Sequence, residues 1–385
     1  MRIAVVGGAG AMGRVVVADA ARSKGVEEVW IVDRDEDAAE AVRRWVGSSK
    51  VGVRSGAALL AETLAGASAV VNAASHRLNV EVMGACLDVG AHYTDLGGLY
   101  HYALRQYELD EDFRAAGLSA AISMGSAPGI TNMLAAAACE RLDTVESIEL
   151  VDVTIPSRGW SPDDPYAPPY AASTIIDEFT EAAPMFLDGK IELRPAGSGA
   201  KVYSFPEGDV ECVYTIHSEP ATLPRSYAAK GIQRVEWRLG LPSVDSVRLR
   251  SFVAAGLASR EPVEVDGVLV APRDVLVATL QRQPGAPPDP GAVERLRATV
   301  VGTAAGERVE IVVDMLVTPP PDLAVDQGAY ATGVPPSVAA QMLARGDRLG
   351  PGVAGPEAML PVEVFFSELG LRGLNVQISD SRPAA

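Results

Sequence analysis

The chain has 385 residues, 48% hydrophobic and 22% charged, which is enough for about two cores and too apolar for a disordered polymer. Its formal net charge of -17 excludes a nucleic-acid partner, because a phosphate backbone needs clustered Lys and Arg. Three scattered cysteines with no CxxC pair argue against a disulfide framework or a metal centre, and no apolar run nears the roughly 20 residues of a membrane span. These features predict a soluble protein of the cytoplasm.

In chain order, "RIAVVGG" reads as a buried strand running into a turn, and "AMGRVVVADAARS" has helical spacing. "VEEVWIVDRD" is a second strand with Asp33 at its end, followed by the helix "DEDAAEAVRRWV" with acids in its first turn. A weak strand (Val51 to Arg54), a helix (Ala57 to Leu64), the strand "ASAVVNAA" and a helix from Asn79 to Val89 come next. "AHYTDLGG", a helical stretch at 108 to 116, the strand "LSAAISMG" and the helix in "APGITNMLAAAACERL" complete the alternation. Strands alternating with helices predict an α/β fold on a doubly wound parallel sheet.

From "VESIELVDVTIP" the pattern shifts to successive strand-like runs: "VECVYTIHSEP", "QRVEWRLGL", "VRLRSFVAAGL" and "ERVEIVVDMLVT". They predict an α+β second domain on a mixed or antiparallel sheet. Two Pro-rich loops, "PSRGWSPDDPYAPPY" and "QRQPGAPPDPG", interrupt it; the first is either a lid or a surface connection. The last 50 residues return to helix, with "PPSVAAQMLARG" expected to start on its prolines.

The most informative local feature is "VVGGAGAMGR". Gly8, Gly10 and Gly13 satisfy GxGxxG, while Gly7, Gly10 and Gly13 satisfy GxxGxxG, with Ala11 and Met12 between the shared glycines. Such a turn lets backbone approach a pyrophosphate and leaves helix N–H groups pointing at it. Asp33 lies 20 residues after Gly13, where a carboxylate bonds ribose hydroxyls and favours NAD. Arg34 beside it would accept a 2′-phosphate, so NADP stays open. Asn72 and Ala73 follow a strand and either contact the cofactor or cap a loop.

Three further segments, "VVNAASHRLNVEVMGACLDVGAHYTDLGG", "MGSAPGITNML" and "HSEPATLPR", together with "GPEAMLPVEVFFSELGLRGLNVQIS", resemble the saccharopine dehydrogenase family along essentially the whole chain. Within it, the length and the DLGG and APG segments are most similar to the bacterial L-lysine 6-dehydrogenases. The resemblance implies hydride transfer between a nicotinamide and an amine-bearing carbon, with the substrate between the two domains. It implies a discontinuous Rossmann domain (1–130 plus 335–385) around an inserted substrate and dimerisation domain (131–334), and a homodimer is expected. Carried onto this sequence, Thr94, Asp95 and Gly97, then Ser126, Ala127 and Pro128, line the nicotinamide end. The family's basic residue on a middle strand of the second domain falls on Arg238 or Arg234, in uncertain register, which leaves the substrate open.

For proton transfer, His217 and Glu219 in "HSEP" are the natural pair, with Asp95 either touching substrate or capping its turn. Arg225 is a candidate for a substrate carboxylate. Tyr170, Thr174 and Glu178 fall at a helix start, facing the cleft or only capping and packing. No histidine spacing suits a metal. The expected function is an amino-acid or amine dehydrogenase of lysine type, with a saccharopine or carboxylated-polyamine enzyme, a non-catalytic dinucleotide sensor and a reductase of a non-amine substrate as alternatives.

Overall fold

In the computed structural model, which describes residues 1–56, 60–158, 165–283, 289 and 291–381, two seven-stranded sheets share the chain. The first contains β1 (Arg2–Val6), β2 (Glu28–Asp33), β3 (Val51–Ser55), β4 (Ala69–Asn72), β5 (His92–Asp95) and β6 (Ser119–Ala121). The second region supplies β7 (Thr144–Ile155), β8 (Ala183–Leu187), β9 (Lys190–Arg194), β10 (Lys201–Phe205), β11 (Gly208–Cys212) and β12 (Arg234–Gly240). It continues with β13 (Val263–Val265), β14 (Val268–Val270), β15 (Val293–Ala304), β16 (Glu307–Val317), β17 (Gly352–Ala354) and β18 (Val376–Asp380).

The first sheet is wholly parallel, in the order β3-β2-β1-β4-β5-β6 with β17 added beside β6. That is the doubly wound arrangement in which ligands bind beyond the carboxyl ends of the strands. The second sheet runs β18-β16-β15-β7-β12-β8-β9 and is mixed, since β12 is parallel to β7 while its other pairs are antiparallel. One face packs on the fully buried helix Ile130–Cys139, and the other is covered by the β10–β11 hairpin through Val151, Val153, Tyr203, Phe205 and Cys212.

The return of the chain is split between the sheets. β17 rejoins the first sheet, but β18 pairs with β16 in the second, so a Rossmann unit drawn as 335–385 takes in a strand that belongs elsewhere. "VRLRSFVAAGL" is not a strand: helix Ser243–Ala254 covers most of it, with Leu249 buried and Val247 and Val253 left outward, so the valines do not mark a pleated face. The strand within "VECVYTIHSEP" stops at Cys212, and a helix opens at Glu219.

"PPSVAAQMLARG" lies inside helix Gln327–Arg345, whose N-cap is Asp326, accepting from the Ala329 N–H at 2.7 Å. Pro335 and Pro336 are tolerated mid-helix because the helix is buried against its neighbours and gains more from packing than the missing hydrogen bonds cost. Gly333 allows that contact, since a Cβ there would sit 2.6 Å from Val15 Cβ. Parts of both Pro-rich loops (159–164, and 284–288 with 290) and residues 57–59 of the third expected helix lie outside the described residues. Cys86, Cys139 and Cys212 are buried free thiols, and among the described residues no helix is long and apolar enough to cross a membrane.

Candidate active site

The glycine turn connects β1, buried from Ile3 to Val6, with helix Gly13–Arg22. Gly7 has φ +74, and a Cβ on it would lie 2.6 Å from the backbone N of Ala74. Gly13 is as constrained, because a Cβ there would approach Gly7 O to 2.2 Å. Gly8 packs against β2, its Cβ position 3.1 Å from Ile31 Cγ2. Gly10 donates to Gly7 O at 3.1 Å and, like Ala11, is exposed beside the helix start; Met12 is half-buried. Gly7 and Gly13 therefore close the turn sterically, and Gly10 keeps its outer surface open.

Asp33 is bound into this turn. Its carboxylate accepts from the Ala9 N–H at 3.0 Å and the Asp35 N–H at 3.1 Å. Arg34, Asp35, Glu36 and Asp37 line an open hollow of about 630 Å³ beside it. An exposed glycine at a helix N-terminus, a carboxylate at the tip of β2 and an open recess between them fit the pyrophosphate, ribose and base of a dinucleotide.

Across the sheet, the tips of β4, β5 and β6 are held by a chain of side chains. Asn72 donates to Asn79 Oδ1 at 2.7 Å and accepts from the Ala74 N–H at 3.1 Å. Asn79 donates to Gln106 Oε1 at 3.2 Å, and Gln106 donates to Asp95 Oδ2 at 2.6 Å. Asp95 Oδ1 accepts from the Gly97 and Ser123 N–H groups at 2.7 and 2.9 Å. Burial pushes the Asp95 carboxyl above its ordinary range, and those hydrogen bonds pull back against it. Of the two roles expected for Asp95, the turn cap is the one visible in the ligand-free protein: Oδ1 holds two loop turns and Oδ2 is met by Gln106.

Those turns form one block. Gly97 has φ +96 and its Cβ position is 2.6 Å from Pro128 Cγ, while a Cβ on Gly129 would be 2.2 Å from Gly125 O. Thr94 is fully buried, and its hydroxyl has no partner among the described residues; Ala73 is half-buried at the mouth of β4. Ala127 and Pro128 are joined by a cis peptide bond, and Ser126 donates to Glu294 Oε1 at 2.5 Å. The Ser123 and Ser218 hydroxyls lie 3.0 Å apart, which brings the nicotinamide-end loop against "HSEP".

His217 and Glu219 are in contact, with Nδ1 and Oε2 2.7 Å apart. The imidazole stacks on Trp237, ring centroids 4.1 Å apart and planes within 11°. Glu219, fully buried, also accepts from Thr131 at 3.1 Å. Burial disfavours the imidazolium, but the Glu219 carboxylate and, further away, Glu178 prevail and raise the His217 pKa. Tyr170 donates to Glu178 Oε2 at 2.5 Å, and Thr174 lies one turn before Glu178 on helix Ala172–Glu178. Burial pushes Glu178 up to about 7.

Sequence reasoning missed Asp152 and Glu294. Asp152 is opposite Leu296 in the β7–β15 ladder, two residues from Glu294 on the same face. Burial, aided by Glu219 and Glu178, pushes Asp152 up to about 8, and burial beside Asp152 holds Glu294 well above the carboxylate range. The available signal was parity: Asp152 continues the inward series Ile148, Leu150, where an apolar residue would be expected.

The same alternation displaces Arg238. It pairs in register with Val151, on the hairpin-covered face, whereas Trp237 pairs with Leu150 on the His217 side. Its guanidinium bonds Glu149 at 3.0 Å, Tyr203 at 3.2 Å, Tyr214 at 2.6 Å and Gly199 O at 3.1 Å. Arg238 thus fastens the hairpin and is not presented to a substrate; Arg234, at the start of the same strand, points outward near Glu236. Arg225 is also away from the dyad. It is exposed over the Tyr107 ring at 4.6 Å, six residues and about 9 Å along the helix from Glu219.

Comparison with known proteins identifies the family and the fold. The saccharopine dehydrogenase NADP binding domain matches residues 3–121, and the saccharopine dehydrogenase C-terminal domain matches residues 125–374. The chain is 25% identical over 331 residues to carboxynorspermidine synthase of Vibrio cholerae, covering 82% of this chain and 78% of that protein. It is 23% identical over 386 residues to carboxyaminopropylagmatine dehydrogenase of a Synechocystis species, covering 95% of each. Apo saccharopine dehydrogenase (L-Glu forming) of Saccharomyces cerevisiae shares the fold, with a TM-score of 0.74 at 16% identity over 99% of this chain and 100% of that one. Matched over nearly its whole length by the two domain models, the chain belongs to the saccharopine dehydrogenase family, as an oxidoreductase that binds a nicotinamide dinucleotide.

Proposed function

We propose that the protein catalyses hydride transfer at a carbon–nitrogen bond of a cationic amine carrying a carboxyl group, with the carboxylated-polyamine type ahead of lysine. The relatives named for carboxynorspermidine and carboxyaminopropylagmatine support that order. The observation that carries it is the His217–Glu219 dyad, placed against the nicotinamide-end loop by the Ser123–Ser218 contact.

A bound nicotinamide supplies or accepts the hydride at the substrate carbon. In the reductive direction the nitrogen of a C=N bond takes up that bond's electron pair and needs one proton. His217, protonated more readily than an ordinary histidine, is the donor, through Nε2, since Nδ1 is held by Glu219. In the oxidative direction the same nitrogen takes the proton from the amine before hydride leaves. Glu219 keeps the tautomer and orientation of the ring, and Trp237 fixes its plane. Asp33 favours NAD over NADP in this reading, because a ribose 2′-phosphate would meet a carboxylate.

A homodimer belongs to the same proposal. The β13–β14 ribbon presents Val263, Val265 and Val268 outward on one face, a surface a second copy would cover. The test of function is a panel of diamines, each with a carboxyl-bearing aldehyde, run beside lysine and saccharopine, following reduced-nicotinamide absorbance with both cofactors. Turnover with diamine and aldehyde is expected; turnover confined to lysine would reverse the order, and none with any amine would overturn the reading.

A further inference from the structure

We propose that Thr131 is a positioning residue for the His217–Glu219 pair: its hydroxyl fixes the Glu219 carboxylate, and through it the ring that exchanges a proton with the substrate nitrogen. The inference rests on the dehydrogenase reading above and deepens it. It begins with a helix that has little room for polar groups. Ile130–Cys139 is buried at all ten positions, and Thr131 and Asn132 are the only side chains in it that demand a hydrogen bond. A valine would fill the place of Thr131 with the same branched shape and no such demand.

Both find partners on helix Glu219–Ser226. Thr131 Oγ1 donates to Glu219 Oε1 at 3.1 Å, and Asn132 Nδ2 donates to Thr222 Oγ1, one turn further on, at 2.9 Å. Asn132 also reaches Glu357 at 3.0 Å, so it pins the helix, whereas Thr131 touches the dyad itself. Glu219 is fully buried; Oε2 faces His217 Nδ1 at 2.7 Å and Oε1 faces Thr131. The last torsion of a glutamate is broad, so a carboxylate held at one oxygen can rotate. The second contact removes that freedom.

The segment is held on three sides. His217 stacks on Trp237, whose Nε1 donates to Thr215 Oγ1 at 2.9 Å. The Ser218 hydroxyl lies 3.0 Å from that of Ser123, and Glu219 is bonded by Thr131. The Thr131 N–H bonds Ser126 O at 3.2 Å, and the Ile130 N–H bonds Gly125 O at 3.0 Å. The residue that orients the acid therefore also anchors the nicotinamide-end loop. Hydride and proton must reach adjacent atoms of one C=N bond, and a shared anchor fixes the spacing of the groups that deliver them.

The test pairs Thr131→Val, which keeps the shape and removes the hydroxyl, with Thr131→Ser, which keeps the hydroxyl. Nitrogen NMR of the isotopically labelled, ligand-free protein, at a pH where His217 is neutral, reports which ring nitrogen carries hydrogen; the chain has only four histidines to assign. Wild type and Thr131→Ser are expected to hold the Nδ1–H tautomer of His217, and Thr131→Val a mixture of the two. In the amine panel, Thr131→Val should lower kcat about tenfold at nearly unchanged KM, the scale of one hydrogen bond to a charged group, and Thr131→Ser should recover most of it. In a Glu219→Ala background the same Thr131→Val change should cost at most about twofold, because the group it acts through is gone. Retained nicotinamide binding shows that each variant is folded. An unchanged tautomer in Thr131→Val, or a full tenfold loss in the Glu219→Ala background, overturns the positioning role. A tautomer that shifts with Thr131→Val while wild type turns over no amine would instead uphold it and remove the dehydrogenase reading beneath it.

Discussion

Replacing Glu178 by Gln is expected to stabilise the ligand-free protein at pH 8 and to flatten its stability profile below that. Glu178 is 2% exposed, and its carboxyl rises from 4.5 to about 7. The folded protein therefore keeps a proton that the unfolded chain releases near pH 4.5, and stability falls as pH rises from there through about 7. Each unit of displacement corresponds to about 1.4 kcal/mol, so Glu178 alone costs roughly 3 kcal/mol once it is ionised. His217 acts in the same direction, because its raised pKa contributes stability below the ordinary histidine range that is lost as pH rises through the folded value.

Net charge also makes wild type less stable as pH rises, so the informative quantity is the difference between wild type and variant. Gln keeps the acceptor for Tyr170 and removes only the titration. For 385 residues, 3 kcal/mol corresponds to roughly 4 °C in Tm. Melting followed by circular dichroism at pH 5 and pH 8 should give nearly equal Tm values for the two proteins at the acid end and a more stable variant at the alkaline end. Parallel curves, or a variant less stable at pH 8, would refute the account of Glu178 as a buried, uncompensated acid.

Gly13→Ala is expected to destabilise by about 2 kcal/mol or more and to abolish cofactor binding, since its Cβ would lie 2.2 Å from Gly7 O; wild-type Tm and nicotinamide fluorescence would contradict that. Asp33→Ser should weaken NAD more than NADP in fluorescence titration, and an unchanged ratio would remove the ribose assignment. Arg238→Met should cost about 1–3 kcal/mol, because Glu149 keeps Lys201 and Glu236 keeps Arg234 and Tyr214 but both lose their buried arginine, with KM for the substrate unchanged. A tenfold rise in KM would return Arg238 to substrate binding.

What was legible in the sequence followed from constraints that act over a few residues. The Gly7–Gly13 turn and Asp33 were visible because a tight strand-to-helix turn restricts residue type locally, and His217 and Glu219 because a single residue separates them. The parallel sheet followed from the strand–helix alternation. Register was not legible. Arg238 and Trp237 are neighbours in sequence but sit on opposite faces of β12, and only the β7 pairing decides which faces the cleft. Asp152 and Glu294 are distant in sequence and meet through the β7–β15 ladder. The helix at Ser243–Ala254 was misread because β-branched residues suggest a strand, whereas burial of one stripe around Leu249 decided the outcome.

Composition treated the acidity of the chain as a single quantity, and the structure divides it in two. Acids such as Glu149, Glu207 and Asp314 are each paired with basic side chains on the hairpin face, Glu149 with both Arg238 and Lys201. On the opposite face, Asp152 and Glu294 lie on the sheet, Glu294 bonded by Ser126, while Glu219 on a neighbouring helix holds His217 beside the nicotinamide-end loop. A fold selected for stability alone would replace such a group with apolar residues of similar volume. Burial that raises the Glu178 and Asp152 carboxyls is expected to cost stability as pH rises, and the comparison of wild type with Glu178→Gln measures the Glu178 share of that cost.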